Sequence, residues 1–217
     1  MKNAETPANL TYEEFEVLQH LVRNDGTEQA DLPNLIPQLK SSKIRKAVRL
    51  LHEKHLATAG SERIGPTEQA TKALEPYRVK RAVILAGGLG QRMIPETIKI
   101  PKPLVMVNEK RLIETQLDAL LAAGITDITI IRGYLKEAFD ILLDRYPFVK
   151  FVDSPYFSLD STLPSVSLVA DLLENTYFLE GDLYINDPSI IRPYEYYSSY
   201  CGTAGNTIED WYFCADT

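Results

Sequence analysis

The pattern of apolar and polar positions changes character near residue 80. Before it, apolar residues recur at helical spacing. Phe15, Val17, Leu18, Leu21 and Val22 share one helical face. Thr11 and Glu14 occupy the N-cap and N3 positions of a capping box, and Leu10 and Phe15 stand where a hydrophobic staple would close. A short helix is expected from Thr27 to about Leu35, kept short by Pro33 and Pro37. Ile44, Ala47, Val48 and Leu51 repeat at i, i+3, i+4 and i+7, which predicts a third helix capped by Ser41 or Ser42. Leu56-Ala57-Thr58-Ala59 and Glu62-Arg63-Ile64 flank Gly60-Ser61, a hairpin pattern, and Thr67 opens a helix through Leu74.

After Pro76-Tyr77-Arg78-Val79 the chain alternates strands and helices with almost no linker. Strands are predicted at Arg81–Ala86, Ile128–Ile131, Val149–Val152 and Tyr177–Glu180, and a further one at Asp210–Cys214. Helices are predicted at Leu112–Ala123, ended by Gly124, at Leu135–Leu143 and at Ser165–Leu173. This alternation predicts an α/β fold with a Rossmann-like, mostly parallel sheet. Ligands of such sheets bind at the C-terminal strand edges, where the loops after Ala86, Ile131 and Glu180 all emerge. The expected domains are therefore 1–79 and 80–217. The first resembles a small winged helix-turn-helix domain, with residues 42–54 as its recognition helix.

Charge divides along the same line. The chain of 217 residues carries a net charge of −7. Residues 1–79 hold 11 Lys+Arg against 11 Asp+Glu, whereas residues 80–217 hold 12 against 19. The acidic excess of the second part disfavours nucleic acid as its partner. DNA remains a candidate partner of residues 42–54, where Lys43, Arg45, Lys46 and Arg49 lie off the apolar face; a solvated basic face is the plainer reading. No apolar run approaches the ~20 residues of a membrane span. Met1-Lys2-Asn3-Ala4-Glu5 lacks a hydrophobic signal region. Cys201 and Cys214 are read as reduced thiols of a cytoplasmic protein.

The chemistry concentrates after the first predicted strand. Leu85-Ala86-Gly87-Gly88-Leu89-Gly90-Gln91-Arg92-Met93 is a strand end followed by a glycine loop, and Pro101-Lys102-Pro103-Leu104 lies just downstream. Free backbone N–H groups and two cations make a site for nucleotide phosphates. It is not a P-loop, because Gln91-Arg92 follows the last glycine instead of Lys-Ser or Lys-Thr. It is not the dinucleotide fingerprint, because no third glycine follows at the required spacing. Asp182 stands one residue beyond Glu180-Gly181, on the same sheet edge, where a carboxylate can hold Mg²⁺ between phosphates. Glu180 is placed in the strand end rather than at the metal.

The glycine loop with Arg92 and Pro101-Lys102-Pro103-Leu104 resembles the signature of nucleotidyltransferases that join an NTP to a phosphorylated small molecule and release pyrophosphate. The resemblance implies that Leu85, Ala86, Gly87, Gly88 and Gly90, with Gly133 and Tyr134, surround the nucleotide. It implies that Arg92 and Lys102 are catalytic phosphate ligands, and that Asp182 binds Mg²⁺. Ile131–Leu135, the Ser165-Val166-Ser167-Leu168 segment, Glu180-Gly181-Asp182 and Glu209-Asp210-Trp211 together resemble the phosphocholine cytidylyltransferase branch.

That narrower resemblance makes CTP and phosphocholine the leading substrates. Trp211 becomes the leading residue against the quaternary ammonium, since aromatic faces hold such groups by cation–π attraction. Tyr194, Tyr196, Tyr197, Tyr200, Tyr212 and Phe213 crowd the same region, where core packing is the plainer role for each. Ser161 is placed at the acceptor, in a loop where the family has asparagine and this chain has Asp160-Ser161-Thr162-Leu163-Pro164. The family's domain extends beyond a position like Thr217 and returns a second metal-binding Asp, so a fragment or a reduced relative is expected, with weak Mg²⁺–NTP binding. A sugar-1-phosphate nucleotidylyltransferase and a nucleotide-sensing DNA-binding regulator are the alternatives. Self-association is compatible with either.

Overall fold

The computed structural model describes residues 9–58, 60, 62–159 and 162–200. Helix α1 (Tyr12–Asn24) begins with the expected capping box: Glu14 N–H donates to Thr11 Oγ1 (3.3 Å) and Thr11 N–H to Glu14 Oε2 (2.7 Å). Leu10 and Phe15 are both buried beside it. The helix expected after Thr27 is instead strand β1 (Thr27–Glu28), and only Leu32–Leu35 is helical (α2). Helix α3 (Ser41–Glu53) buries Ile44, Ala47 and Leu51, but its N-cap is Lys40 and no side chain caps it. Strand β2 (Arg63–Ile64) pairs antiparallel with β1. Of the expected hairpin, the described residues show an Ala57–Pro66 bridge and a Thr58 N–H bond to Gly65 O (2.9 Å). Helix α4 (Ala70–Leu74) starts later than Thr67, whose hydroxyl donates to the His55 carbonyl (2.8 Å).

The second part builds the parallel sheet. In chain order it contains β3 (Arg81–Leu85), the small β4 (Met106–Val107) and β5 (Lys110–Arg111) pair, α5 (Leu112–Ala122), β6 (Ile128–Arg132), β7 (Lys150–Asp153), α6 (Leu163–Ser167) and β8 (Thr176–Glu180). The four long strands lie in the order β7-β6-β3-β8, all parallel. Val83 and Ile84 pair with Thr129 and Ile130 on one side and Phe178 and Leu179 on the other.

Successive side chains go to opposite faces. Ile84, Ile128 and Ile130 pack with Ile113 and Leu117 of α5, while Val83 and Ile131 pack with Val169. The Lys136–Asp144 segment winds as a 3-10 helix rather than an α-helix, entered through Leu135 at φ 48°. The helix expected over 165–173 is split into α6 and a 3-10 turn at Ala170–Leu172. No helix among the described residues is long and apolar enough to cross a membrane.

Residues 192–197 return from the sheet to the N-terminal helices. Val79 N–H donates to Pro193 O (2.9 Å) and Glu195 N–H to Tyr77 O (2.9 Å). Tyr194 is buried within the N-terminal core. The Tyr196 ring stacks on Tyr77 (5.2 Å between centroids), and its hydroxyl donates to the Leu10 carbonyl (2.8 Å). Tyr197 meets Tyr196 edge-on at 4.5 Å. Tyr194 and Tyr196 pack into the seam between the two parts, the core role that was the plainer reading for each, whereas Tyr197 is 63% exposed. Arg192 reinforces the seam by donating to both oxygens of Glu16 in α1 (3.2 and 3.1 Å). The expected strand over Asp210–Cys214, with Tyr212 and Phe213, lies outside the described residues.

Candidate active site

The glycine loop follows from where β3 stops. Ala86 N–H donates to Ile131 O (2.8 Å), which is the last rung between β3 and β6. The chain then turns over the sheet edge. Gly90 adopts φ +64°, and a Cβ there would also lie 3.0 Å from Thr97 Cγ2, so both conformation and space favour glycine. Thr97, buried, fixes this turn by donating its hydroxyl to Gly90 O (2.8 Å). A 3-10 turn at Gln91–Met93 then presents Arg92, which is exposed and has no ion-pair partner among the described residues.

Gly133 and Tyr134 brace the loop from behind. Tyr134 N–H donates to Gly87 O (3.0 Å), and its hydroxyl to Ile98 O (3.0 Å). A Cβ on Gly133 would fall 2.4 Å from Phe157 Cβ and 2.9 Å from Gly87 O. Neither residue lines the cleft itself. Beside them, burial works against the charge of Arg132. Asp153 and Asp140, each at 2.6 Å, outweigh it and hold the guanidinium cationic, tying β6 to β7.

The loop opens onto a cleft of about 410 Å³ at the C-terminal edge of the sheet. Leu85 through Met93 form one wall with Lys102 and Pro103; Tyr156 through Leu159, Thr162 and Ser165 form another; Glu180 and Asp182 close it. Lys102 Nζ donates to Asp182 Oδ2 at 2.5 Å, so the two residues singled out for opposite duties, phosphate and metal, meet as an ion pair. Glu180 is the last residue of β8, as its position in the strand implied, and it also borders the cleft. The far wall is pinned by a buried Ser154–Ser165 hydroxyl contact (2.7 Å). Ser161 and Trp211 lie outside the described residues.

One contributor escapes sequence reasoning. Gln116 of α5 is buried, and its Nε2 donates to the carbonyls of Glu180 (2.9 Å) and Leu183 (2.8 Å), on either side of Asp182. A glutamine inside an apolar helix, 64 residues from its nearest partner, leaves no local signal except its own polarity.

The arrangement can hold a polyphosphate: loop N–H groups, Arg92 and Lys102 line one cleft with the Asp182 carboxylate. The sequence is similar to that of known proteins. Over 139 residues, 62% of this chain and 56% of the relative, the sequence is 41% identical to 2-aminoethylphosphonate cytidylyltransferase of Lancefieldella rimae. Over 105 residues, 48% of this chain and 45% of the relative, it is 45% identical to choline-phosphate cytidylyltransferase of Streptococcus pneumoniae. The solved structure of CTP:phosphocholine cytidylyltransferase from Streptococcus pneumoniae is similar with a TM-score of 0.50 and 44% identity, over 54% of this chain and 50% of that one. The chain thus spans about half the length of the curated relatives it matches. Residues 81–197, which carry the glycine loop, Lys102 and Asp182, match the model of the nucleotidyl transferase family, and the chain belongs to that family.

Proposed function

We propose that this protein transfers a cytidylyl group from CTP to a small phosphorylated or phosphonate compound bearing an ammonium group, with release of pyrophosphate. The observation that carries the reading is the Lys102–Asp182 pair lining the same cleft as the glycine loop, with Lys102 beside Gly90. Two relatives are named for acceptors of this kind, choline phosphate and 2-aminoethylphosphonate. Phosphocholine is the first acceptor to test.

An acceptor oxygen attacks the α-phosphorus, the bond to the β-phosphate oxygen breaks, and pyrophosphate departs with that electron pair. Such a transfer demands positioning and charge neutralisation more than covalent help from the protein. The N–H groups of Gly87, Gly88 and Gly90 approach the nucleotide. Arg92 and Lys102 neutralise the phosphates, and Lys102 leaves Asp182 to do so.

Among the described residues no three His, Cys, Asp or Glu side chains gather as a metal site. Mg²⁺ is commonly bound by one or two carboxylates together with substrate phosphates. Asp182, bordering the cleft beside Glu180, fits that mode. When bound, Mg²⁺ would screen the α- and β-phosphate charge. The cytoplasm, where CTP is made, is the proposed compartment.

For residues 1–79 we propose a winged helix unit, supported by the α1-β1-α2-α3-β2 order, with α3 as its exposed basic helix. A second cleft of about 520 Å³ beside α3, lined in part by Arg45, Arg49 and His52, favours a nucleic-acid contact there as a second reading. A salt-dependent gel shift with duplex DNA tests it.

The deciding experiment is pyrophosphate release with Mg²⁺, screening CTP, UTP, GTP and ATP against phosphocholine, 2-aminoethylphosphonate and glucose-1-phosphate. Release with CTP and either ammonium-bearing acceptor supports the proposal. Release only with glucose-1-phosphate would move the protein to sugar nucleotides. Nucleotide binding with no turnover on any acceptor would favour a sensor.

A further inference from the structure

The turn that carries Asp182 is held from three directions. Gly181 N–H donates to Leu85 O (2.8 Å), tying the turn to the strand that ends in the glycine loop. Thr115 Oγ1 accepts from Ile185 N–H (3.0 Å) beyond the turn. Between them the Gln116 amide spans the turn, its two N–H bonds reaching the carbonyls of Glu180 and Leu183. Carbonyls cannot donate, so this orientation of the amide is fixed by its partners. It leaves Gln116 Oε1 buried without a hydrogen-bond partner. A buried acceptor left unsatisfied is destabilising and calls for an explanation, and the demand for two donors at this spot supplies one.

Helix α5 also supports the other half of the pair. Leu112 N–H donates to Val105 O (3.1 Å), and Leu104 packs with Ile113 and Leu117, so the Lys102–Leu104 turn rests on the same helix. One helix therefore sets both Lys102 and Asp182. We propose that Gln116 is a positioning residue for nucleotidyl transfer: it fixes the Glu180–Leu183 turn so that the Asp182 carboxylate meets Lys102 before substrate arrives and the nucleotide-bound divalent ion afterwards. The inference rests on the cytidylyl-transfer reading above. Gln116 touches no substrate; it acts through Asp182.

The test measures Mn²⁺ affinity of the CTP-bound protein by electron paramagnetic resonance, with CTP affinity in the absence of metal as the companion reading. Gln116→Met removes both donors. Gln116→Asn keeps them on a side chain one methylene shorter and is the milder variant should the first fail to fold. The expected result is Mn²⁺ binding weakened about 10-fold to 100-fold, as for other residues that orient a metal ligand, with metal-free CTP affinity changed less than about 2-fold. In an Asp182→Asn background, Gln116→Asn should cause little further loss of Mn²⁺ affinity, since the two act as one unit. Unchanged Mn²⁺ affinity in either folded variant overturns the role of Gln116 while leaving the transfer reading intact. Failure of the unsubstituted protein to bind Mn²⁺ with CTP overturns both.

Discussion

Replacing Arg192 with leucine tests what joins the helical part to the sheet. Arg192 donates to both Glu16 oxygens (3.2 and 3.1 Å) and to both oxygens of Glu195 (3.0 and 2.5 Å). Burial works against its charge, but Glu195 and Glu16 outweigh that and push its titration above the ordinary arginine value. The Glu16 side chain is only 4% exposed, and without Arg192 it keeps the Gln38 amide (3.0 Å) as a donor. Breaking a buried pair by removing one partner costs about 3–5 kcal/mol. Arg192 retains 28% exposure, so some water already screens the pair. With that discount and the surviving Gln38 contact, we expect a loss of about 2–3 kcal/mol. At a urea dependence of about 2.5 kcal/mol per M, the unfolding midpoint followed by circular dichroism should fall by about 1 M. Glu16→Gln added to Arg192→Leu removes the stranded charge and should recover about half of the loss. A single-variant shift below about 0.5 kcal/mol, or strictly additive effects in the double variant, would refute the idea that this ion pair holds the seam.

Other outcomes follow from the same structure. Gly133→Ala drives a methyl into Phe157 Cβ and Gly87 O. It should destabilise by about 1–3 kcal/mol and weaken CTP binding in calorimetry; wild-type affinity would show that the loop yields freely. Lys102→Met should lower kcat by about 10²–10³-fold, the usual loss for one preorganised electrostatic contact; a change confined to KM would make Lys102 a ground-state binder. Burial opposes ionisation of Glu14, but the Lys54 ammonium, 2.7 Å away, and Thr11 outweigh it, so the carboxyl titrates below its ordinary 4.5. A depressed folded value gives stability that is complete above the unfolded pKa and lost as pH falls through the folded one. Glu14→Gln should therefore flatten the loss of stability on acidification below about pH 4.5; an identical acid limb in both proteins would contradict it.

The sheet was legible because buried parallel strands read as short continuous apolar runs, such as Ala82-Val83-Ile84-Leu85. The loop was legible because its chemistry is consecutive in sequence, glycines then Arg92 then Lys102. Strands β1 and β2 were not, since two-residue strands carry no periodicity, and Thr27 looks alike at a helix cap and in a strand. The 3-10 winding of 136–144 was hidden because its apolar spacing also suits an α-helix. A core role was the plainer reading of Tyr194 and Tyr196, but which core was hidden, because their partners, Tyr77, Phe15 and Leu10, come from far upstream. Gln116 illustrates the same limit: its meaning depends on two carbonyls that only the fold brings near.

The return of residues 192–197 bears on how the protein is born. Tyr194 completes a core otherwise built from residues 10–74. A nascent N-terminal part emerging from the ribosome keeps that hollow open, with Phe15 and Tyr77 lacking the cover of Tyr196, until the four described sheet strands have been synthesised. Chaperone dependence during translation should accordingly be greatest while the sheet strands are still being made, and should end once the tyrosine-bearing strap has cleared the exit tunnel.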